Sequence, residues 1–183
     1  ELFSELFDLK PLAFSSFELK DDLKRSVSLV SSYLNSVPSK LQPERFSSFS
    51  DQRKLEFVLG RLCAKEALEK VYGPEARELF DREPGVGVND DRSPSWPKGA
   101  VGSITHSPKG VIACAAKAED FPGLGLDLEC LKRRDSLSKI KRRVFTGVDH
   151  FLYKELPKGF EDTDLVGLVF SAKESLFKCL YPL

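Results

Sequence analysis

The sequence predicts a fold of the α+β class, with separate helical and strand segments. Three observations lead there. Two stretches carry helical periodicity, one stopped by Gly73-Pro74 and the other by Pro182. The apolar residues between them fall into strand-like runs. The two helices also share a short piece of sequence. Ala64-Lys65-Glu66-Ala67-Leu68-Glu69-Lys70 and Ala172-Lys173-Glu174-Ser175-Leu176-Phe177-Lys178 agree at five of seven places. A match this short can also arise by chance, because Ala, Lys, Glu and Leu are common helix formers.

Taken in order, residues 1–45 show a mixed, mostly amphipathic pattern (Leu2, Phe3, Leu6, Phe7, then Phe14, Phe17 and Leu19) with no chemistry attached. Pro11, Pro38 and Pro43 mark turns there. An amphipathic helix is predicted from about Asp51 to Tyr72, with Gly73-Pro74 as its stop. Glu83 to Asp91 reads as a loop. Its Gly85-Val86-Gly87 is not a dinucleotide fingerprint, because no third Gly opens a helix after it. A Pro-rich loop, Arg92-Ser93-Pro94-Ser95-Trp96-Pro97-Lys98-Gly99, leads into Gly102-Ser103-Ile104-Thr105-His106-Ser107, the end of a strand. A turn at Pro108-Lys109-Gly110 then feeds the apolar run Val111 to Ala116, which reads as a buried strand. In Gly123-Leu124-Gly125-Leu126-Asp127-Leu128-Glu129, Leu alternates with Gly or acid, the period of a strand. Lys132-Arg133-Arg134 with Lys139, Lys141, Arg142 and Arg143 forms a basic run, read either as a solvated helix face or as a docking surface for an acidic helix. His150 falls in a segment read as helical, Val148 to Leu156, with a structural role. The last helix, Phe170 to Lys178, buries Leu176, Phe177 and Leu180, with Leu168 and Val169 behind them.

Three of these segments carry chemistry. Glu174 and Lys178 are one helical turn apart and share a face, as a solvated ion pair also would. Asp127 and Glu129 fall on one face of the predicted strand. Adjacent carboxylates repel unless a cation lies between them, and hard oxygen ligands suit Mg²⁺. The same spacing also fits the polar face of an edge strand. The hydroxyls of Ser103, Thr105 and Ser107 beside His106 suit phosphate oxygens, although an ordinary hairpin turn has the same composition.

Together the segments resemble the 4′-phosphopantetheinyl transferases, in their larger, Sfp-type branch. The Ser-His block is similar to Gly102-Ser103-Ile104-Thr105-His106-Ser107, with Thr105 where the family more often has Ser. The Gly-x-Asp-x-Glu block is similar to Gly125-Leu126-Asp127-Leu128-Glu129, and the Lys-Glu-Ser/Ala-x-x-Lys block to Lys173-Glu174-Ser175-Leu176-Phe177-Lys178. A looser block matches Arg53 to Ala64, and the Arg92–Pro97 loop is typical of the enterobactin-type members. Each block alone is weak; their order and spacing from about Phe46 to the end are specific.

The resemblance implies the fold of that family, a pseudo-twofold pair of subdomains, each a long helix packed on a small antiparallel sheet. The halves are expected at residues 1–117, with the N-terminal extension 1–45, and at 118–183. It implies transfer of phosphopantetheine from coenzyme A, the co-substrate, to a serine of an acyl, peptidyl or aryl carrier protein. The enterobactin-like loop points to siderophore or other nonribosomal peptide synthesis. Mg²⁺ would be held by Asp127, Glu129 and Glu174. Glu174 is also the expected base, directly or through water, and Lys178 would contact the α-phosphate. Thr105, His106 and Ser107 would hold phosphate oxygens of coenzyme A. Arg53, Arg61 and Arg92 are candidates for its 3′-phosphate and adenine end, with Arg61 also readable as structural. Two other readings use the same residues: an inactive module that binds coenzyme A or a carrier protein, and an unrelated Mg²⁺-dependent phosphohydrolase or nuclease.

Composition agrees with an enzyme of this kind. The 183 residues suffice for one large domain or two small ones. Acidic and basic residues balance at 28 each, so no global field points to nucleic acid or to a membrane surface. No apolar run approaches the ~20 residues of a membrane span, and no signal peptide is visible. Cys63, Cys114, Cys130 and Cys179 are scattered without zinc-ligand spacing, as expected for reduced thiols in a cytoplasmic protein, and a monomer is expected. A start at Glu1, the lack of methionine and an end just after the Lys178 helix lead to the expectation of a piece of a longer protein or of a chain with residues lost.

Overall fold

The computed structural model describes residues 12–18, 42–76, 78, 85–132, 134–146 and 159–182. Its elements run β1 (Leu12–Glu18), α1 (Asp51–Tyr72), β2 (Gly87–Val88), β3 (Pro94–Ser95), β4 (Ala100–Ser107), β5 (Gly110–Lys117), α2 (Arg134–Val144) and α3 (Asp162–Leu180). The fold class is α+β, as the sequence predicts. A three-stranded antiparallel sheet has the order β1-β5-β4, and β2 pairs with β3 in a separate two-stranded ribbon.

Helix α1 begins and ends on its own sequence signals. The Ser50 side chain accepts the Arg53 N–H, and Asp51 sits in the first turn, where the helix dipole favours an acid. Gly73 ends it at φ 54°, a backbone shape that suits glycine. One face of α1 buries Leu55, Val58, Leu59, Cys63, Ala64, Ala67 and Leu68 against Ala100, Val111, Ala113 and Ala115 of the sheet. Small residues let helix and sheet approach: a Cβ on Gly60 would lie 2.9 Å from Ile104 Cγ2.

Strand register fixes which residues share a face. Gly102, Ile104 and His106 stand opposite Ala115, Ala113 and Val111, and this face looks at α1. Ser103 and Thr105 therefore point to the other face. β1 was not legible as a strand because its sequence carries no apolar alternation, with Phe14 and Phe17 exposed on opposite faces. The polar Ser15 is buried and donates to Glu66 Oε2 at 2.8 Å, while Phe14 is 50% exposed.

The second core lies where α2 packs on α3. It contains Leu137, Val144, Phe145, Leu165, Val166 and Val169. α3 starts eight residues before the predicted Phe170, at a capping box in which Glu161 and Asp164 each accept the other's backbone N–H. It also turns Leu176, Phe177 and Leu180 outward, so these residues do not form the buried stripe expected of them. The basic residues of α2 lie opposite its apolar stripe, with Lys139, Arg142 and Arg143 exposed. Lys141 pairs with Asp162 at 3.1 Å, and Lys173 Nζ donates to the Val144 carbonyl at 2.7 Å. That second bond places a cation on the negative end of α2.

The stretch 123–130, expected as a strand, joins no strand ladder. It runs over side chains of β4 instead of along its backbone. The Leu126 N–H donates to Ser103 Oγ at 3.0 Å and the Leu128 N–H to Thr105 Oγ1 at 3.1 Å, so buried hydroxyls replace ladder carbonyls. On its other side it presses on α3. A Cβ on Gly123 would stand 2.5 Å from the Cys179 carbonyl oxygen, and one on Gly125 would overlap the Ser175 carbonyl oxygen.

Cys63 and Cys114 are buried free thiols, and burial pushes Cys114 up to about 11. No helix among the described residues is long and apolar enough to cross a membrane. His150 with its predicted helix, and the apolar residues of 1–11 and Leu19, lie outside the described residues.

Candidate active site

The end of β4 divides the site in two, because Thr105 and His106 are consecutive on a strand and face opposite ways. His106 turns toward α1. Its Nδ1 lies 3.3 Å from Glu56 Oε2, and its Nε2 lies 2.5 Å from Arg53 Nη1. Arg53 Nη1 also reaches Glu56 Oε2 at 3.3 Å. A guanidinium only donates, so Nε2 accepts and the ring proton sits on Nδ1, facing the carboxylate. Partial burial holds the imidazole below its ordinary pKa. Glu56 and Asp127 oppose that shift, while Arg53 and Lys178 reinforce it.

Thr105 turns toward the 123–130 segment. Its hydroxyl donates to Asp127 Oδ1 at 3.2 Å while accepting the Leu128 N–H. Lys178 Nζ approaches the same Asp127 oxygen at 2.6 Å and the Leu126 carbonyl at 3.2 Å. The Asp127 side chain is only 10% exposed, so the ion pair is shielded. Sequence reasoning gave these two residues separate tasks and missed their pairing. The acid–base spacing on α3 was visible, but nothing in it says which partner Lys178 takes.

The remaining predicted residues divide differently. Arg61 is largely desolvated, which with repulsion from Arg53 lowers it to about 10. Its guanidinium donates to the Gly87 carbonyl at 2.9 Å and stacks 4.4 Å from the centre of the Phe57 ring. Ser107 is buried and accepts the Lys109 N–H at 3.2 Å, which ties down the β4–β5 turn. Arg92 is exposed at φ 72° on the tip of the β2–β3 ribbon. Next to it, Asp91 is held low by Ser93, and the Tyr181 hydroxyl is raised by its bond to Asp91. The β2–β3 tip that carries Arg92 thereby meets the end of α3 at Tyr181.

Glu129 Oε1 curls back onto the Cys130 N–H at 2.8 Å. Glu174 is half-buried. It falls on the α3 stripe of Gly167, Ser171 and Lys178, and that stripe meets Leu131 at one end and Asp127 at the other. Asp127, Glu129 and Glu174 thus border one seam. Among the described residues, no three His, Cys or acidic side chains are gathered tightly enough to hold a metal, and Lys178 neutralises Asp127. The donor chemistry, hard carboxylate oxygens from two facing elements, fits Mg²⁺. The side-chain geometry present is that of the ion pair. One residue absent from the predicted set belongs with it: Glu56, whose signal was its place three residues after Arg53 on the same helix face.

Sequence comparison gives this arrangement a family. The family model described as the 4′-phosphopantetheinyl transferase N-terminal domain matches residues 42–116. That of the 4′-phosphopantetheinyl transferase superfamily matches residues 123–183. The chain belongs to the 4′-phosphopantetheinyl transferase superfamily. It is 33% identical over 132 residues to 4′-phosphopantetheinyl transferase Svp of Streptomyces mobaraensis, covering 72% of this chain and 50% of the relative. It is 29% identical over 135 residues to enterobactin synthase component D of Salmonella typhi, with 74% and 51% covered. With 4′-phosphopantetheinyl transferase Npt of Nocardia iowensis it shares 28% identity over 134 residues, with 73% and 54% covered. The chain spans about half the length of the curated relatives it matches.

Proposed function

We propose that the protein transfers the 4′-phosphopantetheine arm of coenzyme A to a serine hydroxyl of an apo carrier protein, with Mg²⁺, in the cytoplasm. The observation that carries this reading is the seam itself. Asp127 from the Gly-x-Asp-x-Glu block is hydrogen-bonded to Thr105 from the Ser-His block and paired with Lys178 from the Lys-Glu block. Three sequence blocks far apart in the chain meet at one carboxylate.

In the reaction the serine Oγ–phosphorus bond forms and the bond to 3′,5′-adenosine bisphosphate breaks, so negative charge grows on the leaving pyrophosphate oxygen. Asp127, Glu129 and Glu174 would hold Mg²⁺. The bound ion supplies positive charge that offsets what develops on those oxygens. Lys178, once drawn off Asp127, contacts the α-phosphate. Glu174 takes the serine proton directly or through water. His106 with Arg53, and Arg92 across the seam, receive phosphate oxygens, the 3′-phosphate among them. Arg61 supports the site from behind through Gly87. The two halves, 1–117 and 118–183, carry the two sides of this site, a reading supported by their separate cores. The exposed basic residues of α2 receive an acidic helix of the carrier. Likeness to enterobactin synthase component D favours a carrier from siderophore or other nonribosomal peptide synthesis.

The test is mass spectrometry of apo carrier proteins incubated with the protein, coenzyme A and Mg²⁺. A gain of one phosphopantetheine on the carrier serine is expected. Hydrolysis of coenzyme A with no carrier adduct would overturn the reading.

A further inference from the structure

We infer that Glu56 is a positioning residue that, through His106, makes recognition of a phosphate group by this site proton-linked. The inference rests on the proposed use of coenzyme A as donor. It starts from three contacts that share one carboxylate and one ring: Glu56 to His106 Nδ1, Glu56 to Arg53, and Arg53 to His106 Nε2. The Glu56 side chain is 10% exposed and that of Arg53 50%, so the acid is fixed behind the ring and the guanidinium sits in front.

Without an anion, the network requires a neutral imidazole. Nδ1–H donates to Glu56, and Nε2 must be bare to accept from Arg53. A phosphate reverses that requirement. It draws the guanidinium toward itself, since a planar donor fork matches its oxygens. Nε2 then faces an acceptor and can bond to it only as an N–H donor. The ring must therefore gain a proton. Glu56, already on Nδ1, stabilises the imidazolium, the arrangement by which a carboxylate orients a histidine and keeps it charged. The other charges facing the ring are Lys178 and Asp127 from the seam. They act in opposite senses and cancel in part.

Two consequences follow. Phosphate binding takes up a proton, because the ring's pKa is below its ordinary value in the free protein and rises in the complex. The sign is then fixed. Between those two pKa values, affinity falls as pH rises, by up to about tenfold per pH unit for one proton taken up. Removing the Glu56 charge lowers the pKa of the complex, so at neutral pH both proton uptake and affinity should drop.

Nitrogen-15 NMR of the histidine rings in the free protein at pH 7.5, followed by calorimetry of coenzyme A binding in buffers of different ionisation heat, tests the inference. The expected results are an Nδ1–H tautomer for His106 and uptake approaching one proton per coenzyme A. In Glu56→Gln, uptake should be well below half of that, and KM for coenzyme A should rise about 10-fold or more with a smaller change in kcat. Glu56→Asp should recover part of the uptake, which a merely structural loss would not. An Nε2–H tautomer or an imidazolium in the free wild type would overturn the inference with no variant needed. Coenzyme A binding without proton uptake would overturn it while leaving the transferase reading in place. Failure of coenzyme A to bind at all would overturn both.

Discussion

The two sides of the site are attached in different ways. On the α1 side, helix and sheet are joined by an apolar core and an unbroken backbone ladder between β4 and β5. On the α3 side, the 123–130 segment is held to β4 by two side-chain hydroxyls and to α3 by glycine contacts and the Lys178–Asp127 pair. The first side can be rebuilt only by unfolding. The second can exchange one polar partner for another at little cost. The groups proposed for metal and proton transfer fall on the exchangeable side, while Arg53 and His106, proposed to anchor phosphate, stand on the rigid one. A site that must accept a highly charged donor needs both, a fixed anchor and a carboxylate line that can give up one cation for another.

The change that should break this division most severely is Glu174→Gln. It keeps the shape and one oxygen of the proposed metal ligand but removes the proposed base, and general-base loss typically costs roughly 10²–10⁴-fold in rate. Coenzyme A should still bind, because Arg53 and His106 are untouched. Rapid-quench turnover together with a binding isotherm checks this, and near-normal turnover would show that the proton leaves by another route. Asp127→Ala should come next, with transfer reduced by roughly 10²–10³-fold, since it removes both a proposed ligand and the partner of Lys178. Its circular dichroism should match the wild type, because the first core does not depend on Asp127.

Thr105→Val sharpens the comparison through stability. The valine matches the shape but leaves the Leu128 N–H without its acceptor in a buried place, which costs about 1–3 kcal/mol. Hydrogen exchange should show Leu128 losing protection while the amides of Val111 to Ala116 keep theirs. Equal loss in both places would mean that the segment and the sheet form one cooperative unit and that the two sides do not differ in attachment.

How much of this was legible depends on which forces write a pattern into sequence. The end of helix α1 was legible because Gly73-Pro74 is a local stop signal, while the Ser50 cap that starts it was not read. β4, the turn and β5 were legible from an apolar run next to hydroxyls. β1 was not, because its aromatic residues point outward and a serine points in. The 123–129 alternation was read as a strand, where the structure has a segment outside any ladder, held by Ser103 and Thr105. Alternation reports which residues share a face and is silent on whether the backbone partner is a strand or a side chain. For the same reason Asp127, Thr105 and Lys178 were each found as candidates while their meeting was not. Glu56 was passed over because an acid three residues after an arginine on a helix usually marks a solvated pair.

The 3′-phosphate of coenzyme A probes the rigid side with a moderate effect. If Arg53 or Arg92 contacts it, a donor lacking that group should bind more weakly by about 1.5–3 kcal/mol, the contribution of a charge-assisted hydrogen bond. Arg53→Ala and Arg92→Ala tell the two apart, since the variant that has lost the contact no longer distinguishes the two donors. Equal binding of both donors by the wild type would place the 3′-phosphate elsewhere.

The smallest effect is expected farthest from the seam, on α2. Its basic residues Lys139, Arg142 and Arg143 are exposed, while Lys141 is engaged by Asp162 and the end of the helix by Lys173. That leaves a cationic face on a helix fastened to α3 at its last turn. Charges on a rim steer an encounter more than they hold a complex, so reversing Lys139, Arg142 and Arg143 should lower the association rate with an acidic carrier and flatten its salt dependence. The change should be largest at low ionic strength and nearly vanish at high salt. Turnover of bound carrier should be unaffected, because none of the three residues reaches the seam. Stopped-flow association measured across a salt series separates these outcomes. If the reversals instead weaken coenzyme A binding with carrier association unchanged, α2 belongs to the donor site, and the carrier must dock on another face.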